Sequence, residues 1–138
     1  MQRNSVAIVG AAESTHMGKL PEMAQIQIHA DSALNALADC GLTIKDIDGV
    51  ATAGHNAVEL AHYMGITPTW VDGTSVGGCS FMLHVRHAAA AIEAGLCTTA
   101  LITHGESGRH WIGRHGPSIF PSLFQMQFEQ PYGVTRPP

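Results

Sequence analysis

Residues 70–109 decide the fold, and they read WVDGTSVGGCSFMLHVRHAAAAIEAGLCTTALITHGESGR. A Gly-Gly-Cys-Ser turn at 77–80 precedes a run of small and apolar residues at helical spacing, and Gly95 follows as a helix-ending residue. The positions predicted for the buried face of this helix are Phe81, Val85, Ala88, Ala89 and Ile92. The stretch Thr98 to His104 is the most apolar strand candidate. The sequence therefore predicts a turn, a central helix from Ser80 to Gly95 and a buried strand.

Cys79 is expected at the N-terminus of this helix. Unpaired backbone N–H groups and the helix dipole favour a thiolate there, and flanking glycines let a ligand approach the backbone. Cys79 is thus the candidate nucleophile, and Gly77, Gly78 and Ser80 are candidate substrate-binding residues. Cys79 also fits a small packing residue under a tight turn, because a nucleophilic thiol needs a base nearby. Cys40 and Cys97 adjoin helix-ending glycines and are expected to be buried and inert.

Upstream, short apolar runs alternate with helical patterns. Ser5 to Val9 and Val50 to Ala53 are predicted as the first two strands, and Pro68 to Val71 as the third. A capping box is predicted at Thr43–Asp46. An amphipathic helix is predicted from Met23 to Gly41. Its predicted inner face is Ile26, Ala30, Ala33, Leu34 and Leu37, and its predicted outer face is His29, Asp31, Asn35 and Asp39. A shorter helix, which contains Leu60, Ala61 and Met64, is predicted to end at Gly65. Strands that alternate with helices predict a parallel α/β layer.

Composition narrows the class of protein. In 138 residues, 45% are hydrophobic and 13% are charged, so part of the apolar surface is expected to face another domain or subunit. The net charge of −4, without a run of Lys or Arg, argues against nucleic-acid binding. Three cysteines without framework spacing favour a reducing compartment. Neither a membrane-spanning run nor a signal peptide is found, so a cytoplasmic location is expected.

Two alternative sites receive little support. His84 and His87 lack a third ligand at a recognisable spacing, and His104, His110 and His115 straddle a strand end and a loop, so no metal site is predicted. The segment that starts at Gly10 lacks the G-x-G-x-x-G pattern of a dinucleotide fold.

Two polar residues complete the candidate site. Glu106 and Ser107 follow the fourth predicted strand, where α/β sheets place ligand contacts. They are candidate substrate-binding residues, although a plain strand-end turn fits equally well.

The order of these pieces resembles the N-terminal half of the thiolase superfamily, and most closely its sterol-carrier-protein-x or lipid-transfer branch. The segments that carry the resemblance are VAIVGAAES, IKDIDGVATAG, GGCS and HAAAAIEAGLCTTALITHGES. The family pattern A-x-x-x-I-x-x-G corresponds to Ala88, Ile92 and Gly95. The resemblance implies a mixed, mostly parallel sheet with a buried central helix in residues 1–108. Residues 109–138 would then form an irregular loop region that leads to an absent C-terminal half.

The resemblance also implies a function. The substrate would be a coenzyme A thioester, handled without a bound cofactor by acyl transfer or by retro-aldol or thiolytic carbon–carbon cleavage. Its implied partners are a second copy, paired through Thr69 to Ser75, and a small acyl-CoA-binding zinc-ribbon/OB-fold protein. By the family's offsets the nucleophile's position falls on Gly78, and a slip of one residue turns a helix position by about 100°. The alternatives are a non-catalytic acyl-CoA or lipid-binding scaffold and an interaction half that completes a partner's sheet.

Overall fold

The computed structural model describes residues 5–105, and in that part three parallel strands form one sheet in the order β2-β1-β3. The elements are α1 (Gln25–Cys40), a 3-10 turn (Ile44–Asp46), β1 (Gly49–Thr52), α2 (Ala57–Met64), β2 (Trp70–Asp72), α3 (Ser80–Glu93) and β3 (Ala100–Thr103). The chain moves outward from β1 to β2 through α2, and then back across β1 to β3 through α3. Right-handed crossovers in opposite directions place α2 and α3 on opposite faces of the sheet.

The main core lies between the sheet and the pair α1 and α2. Its buried residues are Ala33, Leu37, Ile47, Val50, Ala57, Leu60, Ala61, Ile66 and Leu101. None of them comes from α3, whose buried positions are Ser80, His84, Ala88, Ala89 and Ala91. Three of these five are alanines, so α3 can lie close to the strands.

Asp48 aligns the starts of all three strands. Its carboxylate accepts hydrogen bonds from the backbone N–H of Thr98 and Thr99, each at 2.8 Å, and from the Thr98 hydroxyl at 2.8 Å. Its own carbonyl accepts the N–H of Thr69 at 2.7 Å and of Trp70 at 3.2 Å. Partial burial acts to raise the pKa of Asp48, but the hydrogen bonds from Thr99 and Thr98 outweigh it and lower that pKa. The ionised side chain therefore fixes the register of β3 beside β1.

The parallel α/β layer is confirmed, and so is the order of its elements from α1 onward. The capping box closes as predicted, because Asp46 Oδ2 accepts both the N–H and the hydroxyl of Thr43 at 2.7 Å. Helices α1 and α2 end at Gly41 and Gly65, and both glycines adopt positive φ. The second, third and fourth predicted strands differ from β1, β2 and β3 only in their end residues.

The predicted first strand, Ser5 to Val9, is wrong. Ile8 is 78% exposed and Val9 is 62% exposed, and the segment pairs with no strand of the described part. A strand needs a ladder partner for its backbone groups, and an apolar run alone does not supply one. The chain just beyond it is held along α1, where Asp39 accepts the N–H of Ala11 at 3.1 Å.

The buried face of α3 is rotated from the predicted one. Ala88 and Ala89 are buried as predicted, but Val85 is 40% exposed and His84 is fully buried in its place. The opposite side is open in the described part, where Met82 is 75% exposed. No helix between residues 5 and 105 is long and apolar enough to cross a membrane. The predicted domain boundary at 108/109 lies outside the described residues.

Candidate active site at the N-terminus of α3

The turn at residues 77–80 is closed by its own hydrogen bonds. Gly77 has a φ of 87°, which L side chains rarely adopt. The Ser80 hydroxyl donates to the Gly77 carbonyl at 2.6 Å and accepts the N–H of Val76 at 2.9 Å. Ser80 is fully buried, so its side chain is committed to the turn. These hydrogen bonds therefore hold the turn before α3 in one conformation.

Cys79 occupies the N-cap position of α3 and is exposed. Its S–H points back into the turn and donates to the Val76 carbonyl at 3.7 Å. Its side chain makes no capping hydrogen bond to the helix, whose first turn has the outward-facing N–H groups of any helix start. A Cβ built on Gly78 would meet no atom within 4 Å. The position next to Cys79 is therefore open to a ligand or to a larger side chain.

Polar contacts fix the segment that leads into the turn. Asp72 Oδ1 accepts the N–H of Thr74 at 2.8 Å and its hydroxyl at 2.6 Å, while Asp72 Oδ2 lies 2.6 Å from Nδ1 of His87. Burial acts to raise the pKa of Asp72, but the hydrogen bonds from Thr74 and His87 lower it overall. His84 Nε2 bonds to the Thr74 carbonyl at 2.9 Å. The sequence suggested only a metal-ligand role for His84 and His87. In the structure both side chains instead anchor the loop that leads into the 77–80 turn.

Three histidines, His29, His55 and His104, gather where β1 and β3 end, and we call them the histidine cluster. Ring centroids lie 5.8 Å apart for His29 and His55, and 6.5 Å apart for His29 and His104. The ring of His104 also packs 4.4 Å from that of Phe81, in the first turn of α3. The cluster therefore lies at the carboxyl edge of the sheet, beside the helix start that carries Cys79.

His29 was predicted on the polar side of α1, and this is wrong. It is fully buried, whereas Leu34 of the predicted apolar face is 49% exposed. His29, Ala33 and Leu37 follow the spacing i, i+4, i+8, which was the available signal for a shared buried face. Burial first, and then repulsion from His55 and His104, lowers the pKa of His29 to about 4.

No protein-family model matches the chain. Over 100 residues, or 70% of its length, the chain is 31% identical to 17-hydroxy-3-oxo-4-pregnene-20-carboxyl-CoA lyase of Mycobacterium tuberculosis. The Ltp2-ChsH2(DUF35) aldolase superposes on 93% of the chain with a TM-score of 0.67 and 22% identity. A monomeric SCP2-thiolase-like protein type 1 from Mycobacterium smegmatis superposes on 92% with a TM-score of 0.61 and 23% identity.

The chain has a thiolase-like fold. It spans only part of each relative: 26% of the lyase, 38% of the aldolase chain and 30% of the SCP2-thiolase-like protein. The resemblance noted in the sequence is confirmed at the level of this fold. Of the predicted site residues, Gly77, Gly78, Cys79 and Ser80 lie together at the start of α3 of the thiolase-like layer. Glu106 and Ser107 lie outside the described residues.

The other two cysteines of this thiolase-like layer are less exposed than Cys79. Cys97 is 4% exposed, and burial, followed by the charge of Asp48, raises the pKa of its thiol. Cys40 is half-buried, and its S–H donates to the Ala36 carbonyl at 3.3 Å. Between residues 5 and 105, no group of three His, Cys, Asp or Glu side chains is arranged to hold a metal ion.

The conformation of the turn yields a first prediction. Gly77→Ala is expected to lower the free energy of unfolding by about 1–2 kcal/mol, because an L residue is strained at that φ. Gly78→Ala is the matched control and is expected to change it by less than about 0.5 kcal/mol, since its Cβ meets open space. Urea unfolding followed by circular dichroism measures both. Equal losses of stability in the two variants would contradict a special requirement for glycine at position 77.

Proposed function

We propose that the chain is the N-terminal part of a thiolase-like protein that handles an acyl-CoA thioester. The reaction is acyl transfer, or retro-aldol or thiolytic carbon–carbon cleavage. One observation carries the proposal: an exposed glycine turn with a cysteine at its end opens α3 in a thiolase-like fold. The 31% identity to a CoA lyase and the likeness to an aldolase support the substrate class and the cleavage reaction.

In this proposal the turn binds the thioester. Backbone N–H groups at the start of α3 receive the thioester carbonyl oxygen and stabilise the negative charge that develops on it. Gly77 and Gly78 leave the approach to these groups free of side chains. Because the chain spans a quarter to two fifths of its relatives, we place the remaining catalytic groups in a second half or a partner subunit.

The role of Cys79 is tested by removing its thiol. Its S–H points back toward Val76, and the resemblance places the nucleophile's position on Gly78. We therefore expect Cys79→Ser to leave turnover of the complete assembly within a few-fold of the parent. Intact-mass spectrometry of the parent after incubation with an acyl-CoA is expected to show no acyl group on Cys79.

A stoichiometric acyl adduct on Cys79, or loss of turnover in Cys79→Ser, would instead make Cys79 the nucleophile. Cys97→Ser is the control for a thiol that is remote from the turn. If the parent assembly neither binds nor turns over acyl-CoA, the whole proposal fails. Within the parent, iodoacetamide should modify Cys79 before Cys40 or Cys97, because only Cys79 is exposed.

The alternative function is a non-catalytic acyl-chain or lipid-binding scaffold. An open cavity of about 500 Å³ lies between residues 10–20, α1 and β3, and its lining includes Leu20, Ile28, Ala33 and Leu101. These four apolar side chains suit a hydrocarbon chain, and the polar lining residues, which include Glu13, Ser14 and Ser32, suit a polar headgroup. Acyl-CoA binding by calorimetry without any turnover in the complete assembly would favour the scaffold over the enzyme.

We also propose two kinds of partner. The solved aldolase pairs Ltp2 with ChsH2(DUF35), which supports a small acyl-CoA-binding zinc-ribbon/OB-fold partner. A second copy would pair through residues 69–75, since β2 is an edge strand of the described sheet and Val71 is 43% exposed. The cytoplasm, a reducing compartment, suits its three free cysteines.

Dimer formation has its own test. Light scattering at micromolar concentration is expected to give the mass of a dimer, and Val71→Lys is expected to give a monomer, because a charge on an edge strand opposes pairing. Val58→Lys is the matched control, as Val58 is 60% exposed on α2 and lies outside residues 69–75. The neighbour from Mycobacterium smegmatis is monomeric, so a monomeric parent would align this chain with it and refute the pairing.

A further inference from the structure

The histidine cluster joins parts of the chain that are distant in sequence. His29 belongs to α1, His55 lies between β1 and α2, and His104 directly follows β3. Gly105 packs so tightly against this cluster that a Cβ on it would lie 2.8 Å from Cδ2 of His29. Gln25 of α1 adds hydrogen bonds to the carbonyls of Gly54, at 3.2 Å, and Gly105, at 2.8 Å. The carboxyl edge of the sheet is therefore held by contacts that centre on His29.

Hydrogen bonding favours Nδ1 as the nitrogen of His29 that carries the hydrogen. The Thr52 hydroxyl donates to the Thr103 carbonyl at 3.0 Å, so the Thr52 oxygen can only accept from His29. Nδ1 of His29 lies 3.3 Å from that oxygen and 2.9 Å from Thr103 Oγ1, so a hydrogen on Nδ1 serves both contacts. Nε2 is buried and makes no hydrogen bond of good geometry among the described residues.

No carboxylate contacts this buried nitrogen within the described part of the chain. His55 Nε2 lies 3.5 Å from the carboxylate of Glu59, too far for a well-formed hydrogen bond. A proton on Nε2 would thus add a buried charge that no carboxylate balances, and a hydrogen bond with the Gly105 backbone offsets only part of this cost. The groups that face His29 are Thr52 and Thr103 at the strand ends, His55 with Glu59 from the loop and α2, and His104 with the Gly105 backbone after β3.

The cluster reaches the start of α3 through one aromatic contact. The rings of His104 and Phe81 lie 4.4 Å apart, and Phe81 also meets His84 edge-on at 5.9 Å. Phe81 follows the 77–80 turn directly. Phe81 therefore connects His104 to the first turn of α3.

We propose that the histidine cluster is an acid-sensitive latch on the candidate site. With neutral imidazoles it holds Phe81, the first turn of α3 and residues 77–80 against the sheet. Protonation of the buried ring separates the cluster and releases this segment, while α2 and the main core stay folded. The latch is independent of the thioester proposal, because its readout is the local structure of the chain and not an activity.

The size of the effect follows from the two states of His29. Its pKa is about 4 when the latch is closed and returns toward 6.5 when the ring meets water. By linkage, opening is favoured about tenfold more at pH 5.5 than at pH 7.5. The closed state is thus fully stable above pH 6.5 and weakens as the pH falls.

Hydrogen–deuterium exchange of the full chain at the two pH values tests the latch. After correction for intrinsic exchange rates, protection of residues 77–84 should fall about tenfold from pH 7.5 to pH 5.5 and should lie well below that of the buried amides of α2 at both pH values, because those amides exchange only when the whole chain unfolds. His29→Asn keeps an N–H donor near Thr103 and removes the titrating group, so it should abolish the difference. His62→Asn, an exposed histidine on α2, is the control and should behave as the parent.

Equal protection of residues 77–84 and of the buried α2 amides at pH 5.5 would overturn the latch, because both segments would then exchange through global unfolding. A pH response that persists in a folded His29→Asn variant would also overturn it. Should that variant fail to fold, NMR of the parent decides the matter: the imidazole signal of His29 and the amide signals of residues 79–83 should move with one midpoint, and separate midpoints would refute the coupling.

Discussion

Asp48→Ala is expected to lower the free energy of unfolding by about 2–3 kcal/mol. The substitution removes the acceptor of the Thr98 and Thr99 N–H groups and of the Thr98 hydroxyl, at the point where β3 begins beside β1. Hydrogen bonds to a charged group contribute about 1.5–3 kcal/mol each, but water can reach part of this site and replaces some of them. Urea unfolding at pH 7, followed by circular dichroism, gives the difference.

Glu22→Ala is the control for Asp48, because it removes an exposed carboxylate before α1 and should change the stability by less than about 0.5 kcal/mol. The lowered pKa of Asp48 adds a second readout. A depressed carboxyl pKa stabilises the fold above its unfolded value near 4, and this contribution disappears as the pH falls below it. The parent and Asp48→Ala should therefore converge in stability at strongly acid pH. A constant difference down to pH 2.5 would contradict the ionised role of Asp48.

Lowering the pH from 7 to 5 is expected to reduce the stability of the parent by about 2 kcal/mol through His29 alone. The pKa of this imidazole is about 4 in the fold and 6.5 in the unfolded chain. The unfolded state thus binds the proton first, so stability is fully present above pH 6.5 and is lost as the pH approaches 4. Denaturant unfolding at half-unit pH steps measures this slope.

His29→Asn should flatten the slope, since asparagine does not titrate, whereas His62→Asn should leave it unchanged because His62 is exposed on α2. A parent whose stability is flat between pH 7 and pH 5 would show that the buried ring finds a partner for its proton. In that case neither the acid response nor the latch at α3 would stand.

Sequence alone determined the features that depend on neighbours in the chain. Thr43 and Asp46 form their capping box three residues apart, and Gly41, Gly65 and Gly95 have positive φ at or just after a helix end. Such contacts close within one turn, so spacing and residue type are sufficient to predict them. The Gly77–Ser80 turn at the start of α3 was predicted for the same reason.

Tertiary structure decided which face of each element is buried and which groups meet. His29, not Leu34, enters the core, and His84, not Val85, is buried under α3, because the direction of packing selects among several apolar stripes on one helix. Ser5 to Val9 forms no strand because a ladder requires a partner that an apolar run cannot specify. Asp48 meets Thr98 across 50 residues, and His29 meets Thr103 across 74. Contacts at such separations exist only after the sheet has assembled, since its topology and register, not the local pattern, bring those residues together.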